Sequence, residues 1–402
     1  MKTINNELYL GEFQAKELAE IYGTPLYVYE ACEIKGNIKK IREFINYEPK
    51  RIHYALFCNN NIQILKLLRK EHIQVTACSP GDVFIATKAG YLPEEIIFSG
   101  TNLNEKDFLF LKEKNLQINV DSLEQLKDYC KLNPKSKVGL RLNLKIQLPA
   151  EMGLKAVGNE SRLGLNEEQL PLALEIASKY KVKLNGIQTY LGTNILSVKP
   201  FIKMLKKLVW LAEKIDSIEY IDIGGGFGVD YSEKPKEFDW NKLGKEVTQL
   251  MSNLSKKKER KVVLILEPGR SIIARAGTLL TRVVSIKHTN KLFIGTDTCF
   301  THFMRPFLYG AEHRIVKATE IESKEHIEGD VCGNTTLSID FLGKNKKLPP
   351  LRDGDLLAIL DVGAYGYSMS SHFLSRPRPA ELVVAGKKSH VIREREKISD
   401  LL

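Results

Sequence analysis

The sequence has no run of eighteen or more apolar residues, so it offers no membrane-spanning helix. Its opening, MKTINNELYLGEF, carries one lysine, then mostly polar residues, and no apolar h-region; no secretory signal is visible, and a cytoplasmic location is expected. The six cysteines, Cys32, Cys58, Cys78, Cys130, Cys299 and Cys332, form no CxxC pair and no zinc-spaced cluster with histidine. No metal site is expected, nor a disulfide framework, which leaves a lone thiol as the only form cysteine chemistry could take. Neither a G-x-x-x-x-G-K-[ST] loop nor a G-x-G-x-x-G fingerprint occurs. Low-complexity segments and tandem repeats are lacking as well.

What is present is a chain of 402 residues, 43% apolar and 27% charged, an ordinary globular composition with enough length for two cores. The net charge of +11 comes from 60 basic against 49 acidic residues. The surplus is scattered, with short clusters at Lys256-Lys257-Lys258 and from Lys344 to Lys347. Such clusters read as solvated loops and not as a nucleic-acid surface, while a mildly positive pocket would suit an anionic ligand.

Short apolar or β-branched runs at 51–58, 73–78, 95–99, 117–120, 137–143, 184–190, 218–223 and 261–266 predict strands. Helical periods lie between most of them, as in Asn61 to His72 and Val198 to Lys214. Ser79-Pro80, Asn104 and Ser122 supply helix-start signals. Eight strands, most followed by a helix, predict an α/β fold of the (β/α)8 TIM-barrel class. Polar or glycine-rich tips follow nearly every strand, at the end where barrel active sites are built. Beyond Arg270 the helical period fades, and short extended runs such as Leu279 to Ile286 and Glu381 to Val384 predict a second, β-rich domain. The expected division is a barrel over residues 31–275 and a β domain, of β-sandwich or Greek-key barrel type, made of residues 1–30 and 276–402. Leu26-Tyr27-Val28-Tyr29 would add a strand to the latter.

Two tips stand out. In Ile221-Asp222-Ile223-Gly224-Gly225-Gly226-Phe227-Gly228, three glycines after a buried strand let bare backbone approach a ligand and present N–H groups to it. In Leu266-Glu267-Pro268-Gly269-Arg270 a glycine amide stands beside the planar donor fork of an arginine, which suits a phosphate. The loops after strands seven and eight are the usual phosphate site of barrel enzymes.

These motifs, in order along nearly the whole chain, resemble the fold-type III decarboxylases that use pyridoxal phosphate, nearest the diaminopimelate decarboxylase branch. Gly23-Thr24-Pro25-Leu26-Tyr27-Val28-Tyr29 is similar to that family's opening, GGGFG at 224–228 and EPGRS at 267–271 to its phosphate loops, and Arg305-Pro306-Phe307-Leu308-Tyr309 to its R-P-x-L-Y. Gly363-Ala364-Tyr365-Gly366-Tyr367-Ser368-Met369 and the tail from Val391 to Leu402 extend the likeness. The resemblance implies an amino-acid decarboxylase acting as a homodimer. It implies that Glu267 pairs with the cofactor's pyridine nitrogen, that Gly225, Gly226, Gly269, Arg270 and Tyr365 hold the phosphate, that Tyr190 stacks on the ring, and that Arg305 and Tyr309 meet a substrate carboxylate.

The same resemblance exposes departures. The family's first strand ends Y-A-x-K-x-N, whose lysine bonds the cofactor; here Tyr54-Ala55-Leu56-Phe57-Cys58-Asn59 puts Phe57 at that place. Phenylalanine cannot form an imine, and without the resemblance Phe57 would be barrel-core filling. Tyr190 stands for the family's histidine, Thr76 for its aspartate, and Thr336 and Leu337 for its cysteine and acid, while Ser338 and Asp340 remain. Cys332 falls four positions early and reads as a small buried hydrophobe. Three functions fit: an active decarboxylase with a relocated lysine such as Lys145, a non-covalent holder of pyridoxal phosphate or another phosphate ligand (a pseudoenzyme or an inactive partner subunit), or different chemistry in the same barrel.

Overall fold

The computed structural model describes residues 2–148 and 154–402. The chain divides into two units, one of Ile38–Val229 with Lys236–Ser271, the other of Met1–Asn37, Asp230–Pro235 and Ile272–Leu402.

The first unit is a closed barrel of eight parallel strands: β1 (Lys50–Ala55), β2 (Gln74–Ala77), β3 (Ile96–Phe98), β4 (Gln117–Val120), β5 (Lys137–Asn143), β6 (Lys183–Gln188), β7 (Tyr220–Asp222) and β8 (Val263–Leu266). Each pairs with the next, and β8 closes on β1 with Ile265 opposite Arg51. The first strand is shorter than its apolar run: it stops at Ala55, and Leu56–Cys58 forms a 3₁₀ turn. A short apolar run does not distinguish strand from helical turn by periodicity. In the turn Leu56 and Cys58 are buried, while Phe57 is 39% exposed and does not fill the core.

The capping residues act as their positions predict. Ser79 accepts a hydrogen bond from the Asp82 amide at 3.1 Å, Asn104 from that of Asp107 at 3.1 Å, and Ser122 from that of Gln125 at 3.1 Å. Each satisfies an otherwise orphaned helix-terminal N–H, a contribution of about 1 kcal/mol. The helix Lys199–Ala212 buries Phe201, Leu205, Leu208, Val209 and Ala212 along one stripe.

Inside the barrel the Tyr220 side chain of β7 lies against Ile97 and Ile265. Its neighbours had to be glycine: a Cβ on Gly139 would come within 2.0 Å of the Tyr220 hydroxyl, and one on Gly186 within 1.9 Å of its ring. The tyrosine also accepts from Gln117 Nε2 at 3.2 Å and donates to Asn119. This layer separates the two ends of the barrel interior.

The second unit is β-rich. Leu26–Glu30 lies antiparallel to Gly277–His288 and parallel to Ala380–Ala385 within a nine-stranded sheet. Alternation along Leu26–Glu30 assigns its faces: Leu26 and Val28 join an apolar cluster with Leu280, Ala358 and Leu382, while Tyr29 donates to Glu381 at 2.7 Å. A three-stranded sheet (Lys2–Ile4, Glu7–Leu10, Phe13–Gln14) and the helix Ala15–Tyr22 bring Leu8, Leu10, Ala15 and Leu18 to the same cluster.

Candidate cofactor site

The loops after β6, β7 and β8 interlock through bare backbone. A Cβ on Gly224 would stand 2.4 Å from the Thr189 carbonyl oxygen, one on Gly225 2.3 Å from that of Glu267, and one on Gly226 2.1 Å from that of Gly192. Gly224 and Gly226 also adopt φ of +64° and +90°, which only glycine takes without strain. The amide of Glu267 donates to Gly224 O, and that of Ile195 to Gly226 O, both at 2.8 Å. Gly269 presses on the first strand, its Cβ position 3.0 Å from the Cβ atoms of Ala55 and Cys58. Arg270 Nη2 donates to Thr193 Oγ1 at 3.0 Å. Gly225, Gly226, Gly269 and Arg270 are thus drawn together at the C-terminal end of the strands, and the Tyr190 ring lies beside Gly226.

Glu267 is buried below them. Its carboxylate accepts from Thr76 Oγ1 at 2.8 Å and from Gln188 Nε2 at 3.2 Å. Burial raises its pKa; the Thr76 bond, the Arg141 charge, the Gln188 bond and Asp222 all oppose that rise. Asp222, also fully buried, is pushed well above the carboxylate range by burial, with the charge of Glu267 adding to it. Burial and the adjacent Glu267 thus press Asp222 toward its neutral form, while Thr76, Arg141 and Gln188 favour charge on Glu267. The Arg141 guanidinium faces Glu267, Asp121 and Tyr190, its pKa lowered by burial.

None of Asp222, Gln188 and Arg141 was singled out from the sequence as a partner of Glu267. Each is a polar residue in an otherwise apolar strand, at an inward-facing position, and that is the signal that could have found them. Thr76, which the sequence marks only as a departure, donates the shorter of these two side-chain bonds to Glu267.

Bare-backbone loops, an arginine fork and a buried, charge-bearing carboxylate fit a phosphate and a protonated ring nitrogen. Phe57 occupies the turn after β1, and no lysine of the barrel unit is buried among the described residues. Lys145 is exposed and paired with Glu168 at 2.5 Å, which raises its pKa; a nucleophilic amine needs the opposite shift.

Arg305, Tyr309 and Tyr365 belong to the second unit. Arg305 is buried: its Nη1 donates to His313 Nε2 at 2.8 Å, His313 Nδ1 donates to Leu360 O at 2.8 Å, and the guanidinium lies 4.7 Å from the Tyr231 ring centroid. His313 and Tyr231 were not foreseen. Tyr309 is half-exposed at the end of the helix Arg305–Tyr309. Tyr365 holds a left-handed backbone, φ +57°, unusual for an aromatic residue. Asp340 accepts from the Phe300 amide at 2.8 Å and Thr335 Oγ1 at 2.6 Å, a loop-building role. Burial pushes the Cys332 thiol up to about 11, so it is inert at neutral pH.

Comparison with known proteins bears on this arrangement. Residues 32–274 match the family model described as pyridoxal-dependent decarboxylase, pyridoxal binding domain. Diaminopimelate decarboxylase of Methanothermobacter thermautotrophicus is 34% identical, over 98% of this chain and 94% of its own. That of Aquifex aeolicus is 32% identical with the same coverage. Among solved structures, diaminopimelate decarboxylase from M. jannaschii superposes with a TM-score of 0.91 at 29% identity, covering 100% of this chain and 96% of that one. The Helicobacter pylori enzyme complexed with L-lysine gives 0.88 at 31% identity, covering 96% and 98%.

Proposed function

Because the chain belongs to the pyridoxal-dependent decarboxylases, whose cofactor is pyridoxal phosphate, we propose that it holds this cofactor without a covalent bond. In this reading it is a relative of diaminopimelate decarboxylase that retains the phosphate cup and ring-nitrogen partner but not the catalytic half. The observation that carries it is the pairing of an intact cup with Phe57 in the turn where a lysine amine would be needed.

When bound, pyridoxal phosphate supplies an electron sink for bonds at an amino acid's α-carbon. This chain's own residues do the holding. The amides of Gly225, Gly226 and Gly269 and the Arg270 fork take the phosphate, and Tyr190 offers a ring face in place of histidine. Glu267, whose charge Thr76, Arg141 and Gln188 favour, would keep the ring nitrogen protonated. Nothing at 57 can bond the aldehyde, and Thr336 and Leu337 bring neither a thiol nor a carboxylate. The family resemblance assigns a substrate carboxylate to Arg305 and Tyr309 and the phosphate to Tyr365, and a homodimer as the assembly.

Equilibrium dialysis tests this. Pyridoxal phosphate should bind with one-to-one stoichiometry and wash out fully, pyridoxal lacking the phosphate should bind at least about tenfold more weakly, and Arg270→Gln should erase that difference. Carbon dioxide should not be released from diaminopimelate, lysine or ornithine at an enzymatic rate. Equal affinity for the two vitamers, or steady turnover, would refute the reading.

A further inference from the structure

The basic surplus that is scattered along the sequence is gathered by the fold. The helices Lys199–Ala212 and Trp240–Lys257 pack side by side within the barrel unit. Residues 199–214 and 240–258, the two helices with the residues that close them, hold ten lysines and two glutamates, which makes +8 of the chain's +11. Lys256-Lys257-Lys258, expected in a solvated loop, instead closes the second helix.

Position and pairing turn this total into a surface. Lys199, Lys203, Lys206 and Trp210 recur at i, i+4, i+7 and i+11 and are all exposed, a row roughly 17 Å long that Lys214 extends. Lys242, Lys245 and Lys256 are exposed along the second helix. Both glutamates are engaged between the helices: Glu246 meets Lys206 at 3.8 Å, and Glu213 meets Lys257 at 2.6 Å. Lys207 pairs with Glu167 at 2.6 Å, and Lys258 donates to the carbonyls of Glu213 and Ile215. Lys199, Lys203, Lys242, Lys245 and Lys256 have no ion pair among the described residues. A merely solvated face intersperses both signs, whereas these ammonium groups repel one another until a counter-charge offsets them.

Trp210 lies within the row, 53% exposed, with Lys214 Nζ 3.3 Å from its ring centroid. Among the described residues of the two helices no other large apolar side chain is exposed. That argues against a bilayer, which is met by a broad apolar helix face. A protein interface keeps lysine out of its centre, yet here lysines flank the one exposed aromatic ring. A one-sign row around a single aromatic face matches a single-stranded nucleic acid, with a phosphate on every unit and bases free to stack.

We propose that this two-helix face binds single-stranded nucleic acid without sequence preference. Its phosphates meet Lys199, Lys203, Lys242, Lys245 and Lys256, and one base stacks on Trp210 in place of the Lys214 ammonium. Lysines present point charges and not the forked donor pairs that read base edges, so backbone contact dominates. The inference is independent of the cofactor reading, which uses none of these residues.

The test is fluorescence anisotropy of a labelled oligothymidylate, about twelve nucleotides long, titrated with the full chain over a range of salt. Five phosphate contacts, at about 0.7 each, predict a slope of log affinity against log salt of about −3.5. The triple variant Lys199→Gln, Lys203→Gln, Lys242→Gln should bring the slope to about −1.4 and weaken binding at least about tenfold at about 50 mM salt. The control triple Lys66→Gln, Lys106→Gln, Lys127→Gln removes three exposed charges from other barrel helices and should change affinity by no more than about twofold. All six lysines are exposed, and thermal midpoints check that both variants fold. The chain's one other tryptophan, Trp240, is buried, so quenching of the intrinsic emission reports Trp210. Trp210→Ala should abolish the quench and lose at least about fivefold in affinity. No saturable binding up to ~100 μM protein at about 50 mM salt would overturn the proposal. So would equal weakening by the two triple variants, or equally effective displacement of the oligonucleotide by polyglutamate of the same charge or by phosphatidylserine vesicles.

Discussion

Gly226→Ala puts the cup's construction to a quantitative test. Two costs arise. The residue would have to hold φ +90°, a conformation that costs an L-residue about 1–3 kcal/mol. Its Cβ would also lie 2.1 Å from the Gly192 carbonyl oxygen, a backbone atom that can yield only if the loop moves, an overpacking cost of about 1–3 kcal/mol. Together they come to about 4 kcal/mol, nearly a thousandfold in an equilibrium constant. The cost can fall on stability, if the loops stay, or on cofactor affinity, if they part, so both are measured: urea unfolding of the cofactor-free protein and pyridoxal phosphate titration. Gly158→Ala is the control, because Gly158 has φ +103° but nothing within 4 Å of its Cβ position. It should lose only the strain, about 1–3 kcal/mol, and keep wild-type affinity. If Gly226→Ala matches Gly158→Ala in both measurements, the interlocked cup is not what shapes the site.

Acid stability should depend on His302, which accepts from Thr298 Oγ1 at Nδ1 and donates from Nε2 to the Pro377 carbonyl. Burial lowers its pKa to about 4 from an ordinary 6.5, so the unfolded chain binds the extra proton between those values. Its contribution is complete above about pH 6.5 and declines as pH falls to about 4, by at most roughly 3 kcal/mol; His302→Gln should flatten that limb in thermal midpoints measured from pH 4.5 to 7.5, and an unchanged slope would count against it. Lys145→Ala should leave pyridoxal phosphate affinity within about twofold, because the amine is exposed and engaged by Glu168; a large loss would revive a relocated lysine.

Much of the barrel was legible because its signals are local. Eight apolar runs, the caps at Ser79, Asn104 and Ser122, and the glycines at 224–226 each declare themselves within a few residues. The environment of Glu267 was not, because its partners are brought to it only by barrel closure: Thr76 is 191 positions away and Gln188 is 79. Phe57 misled in a different way. An apolar residue in an apolar run looks like core, and only the 3₁₀ turn after Ala55 shows it outside the buried core. The strand Gly277–His288 exceeds the run Leu279 to Ile286 at both ends, since Gly277, Lys287 and His288 pair through their backbone and add nothing to an apolar pattern. The N-terminal sheet at 2–14 escaped for a similar reason: its strands are only two to four residues long, too short for alternation to be counted.

Loading the protein with equimolar pyridoxal phosphate, reducing with borohydride and mapping peptides by mass spectrometry tests the absence of a covalent hold most directly. The account predicts no stoichiometric pyridoxyl-lysine in the natural chain and one at position 57 in Phe57→Lys. A stoichiometric adduct on Lys145, or on any other lysine of the natural chain, would contradict it.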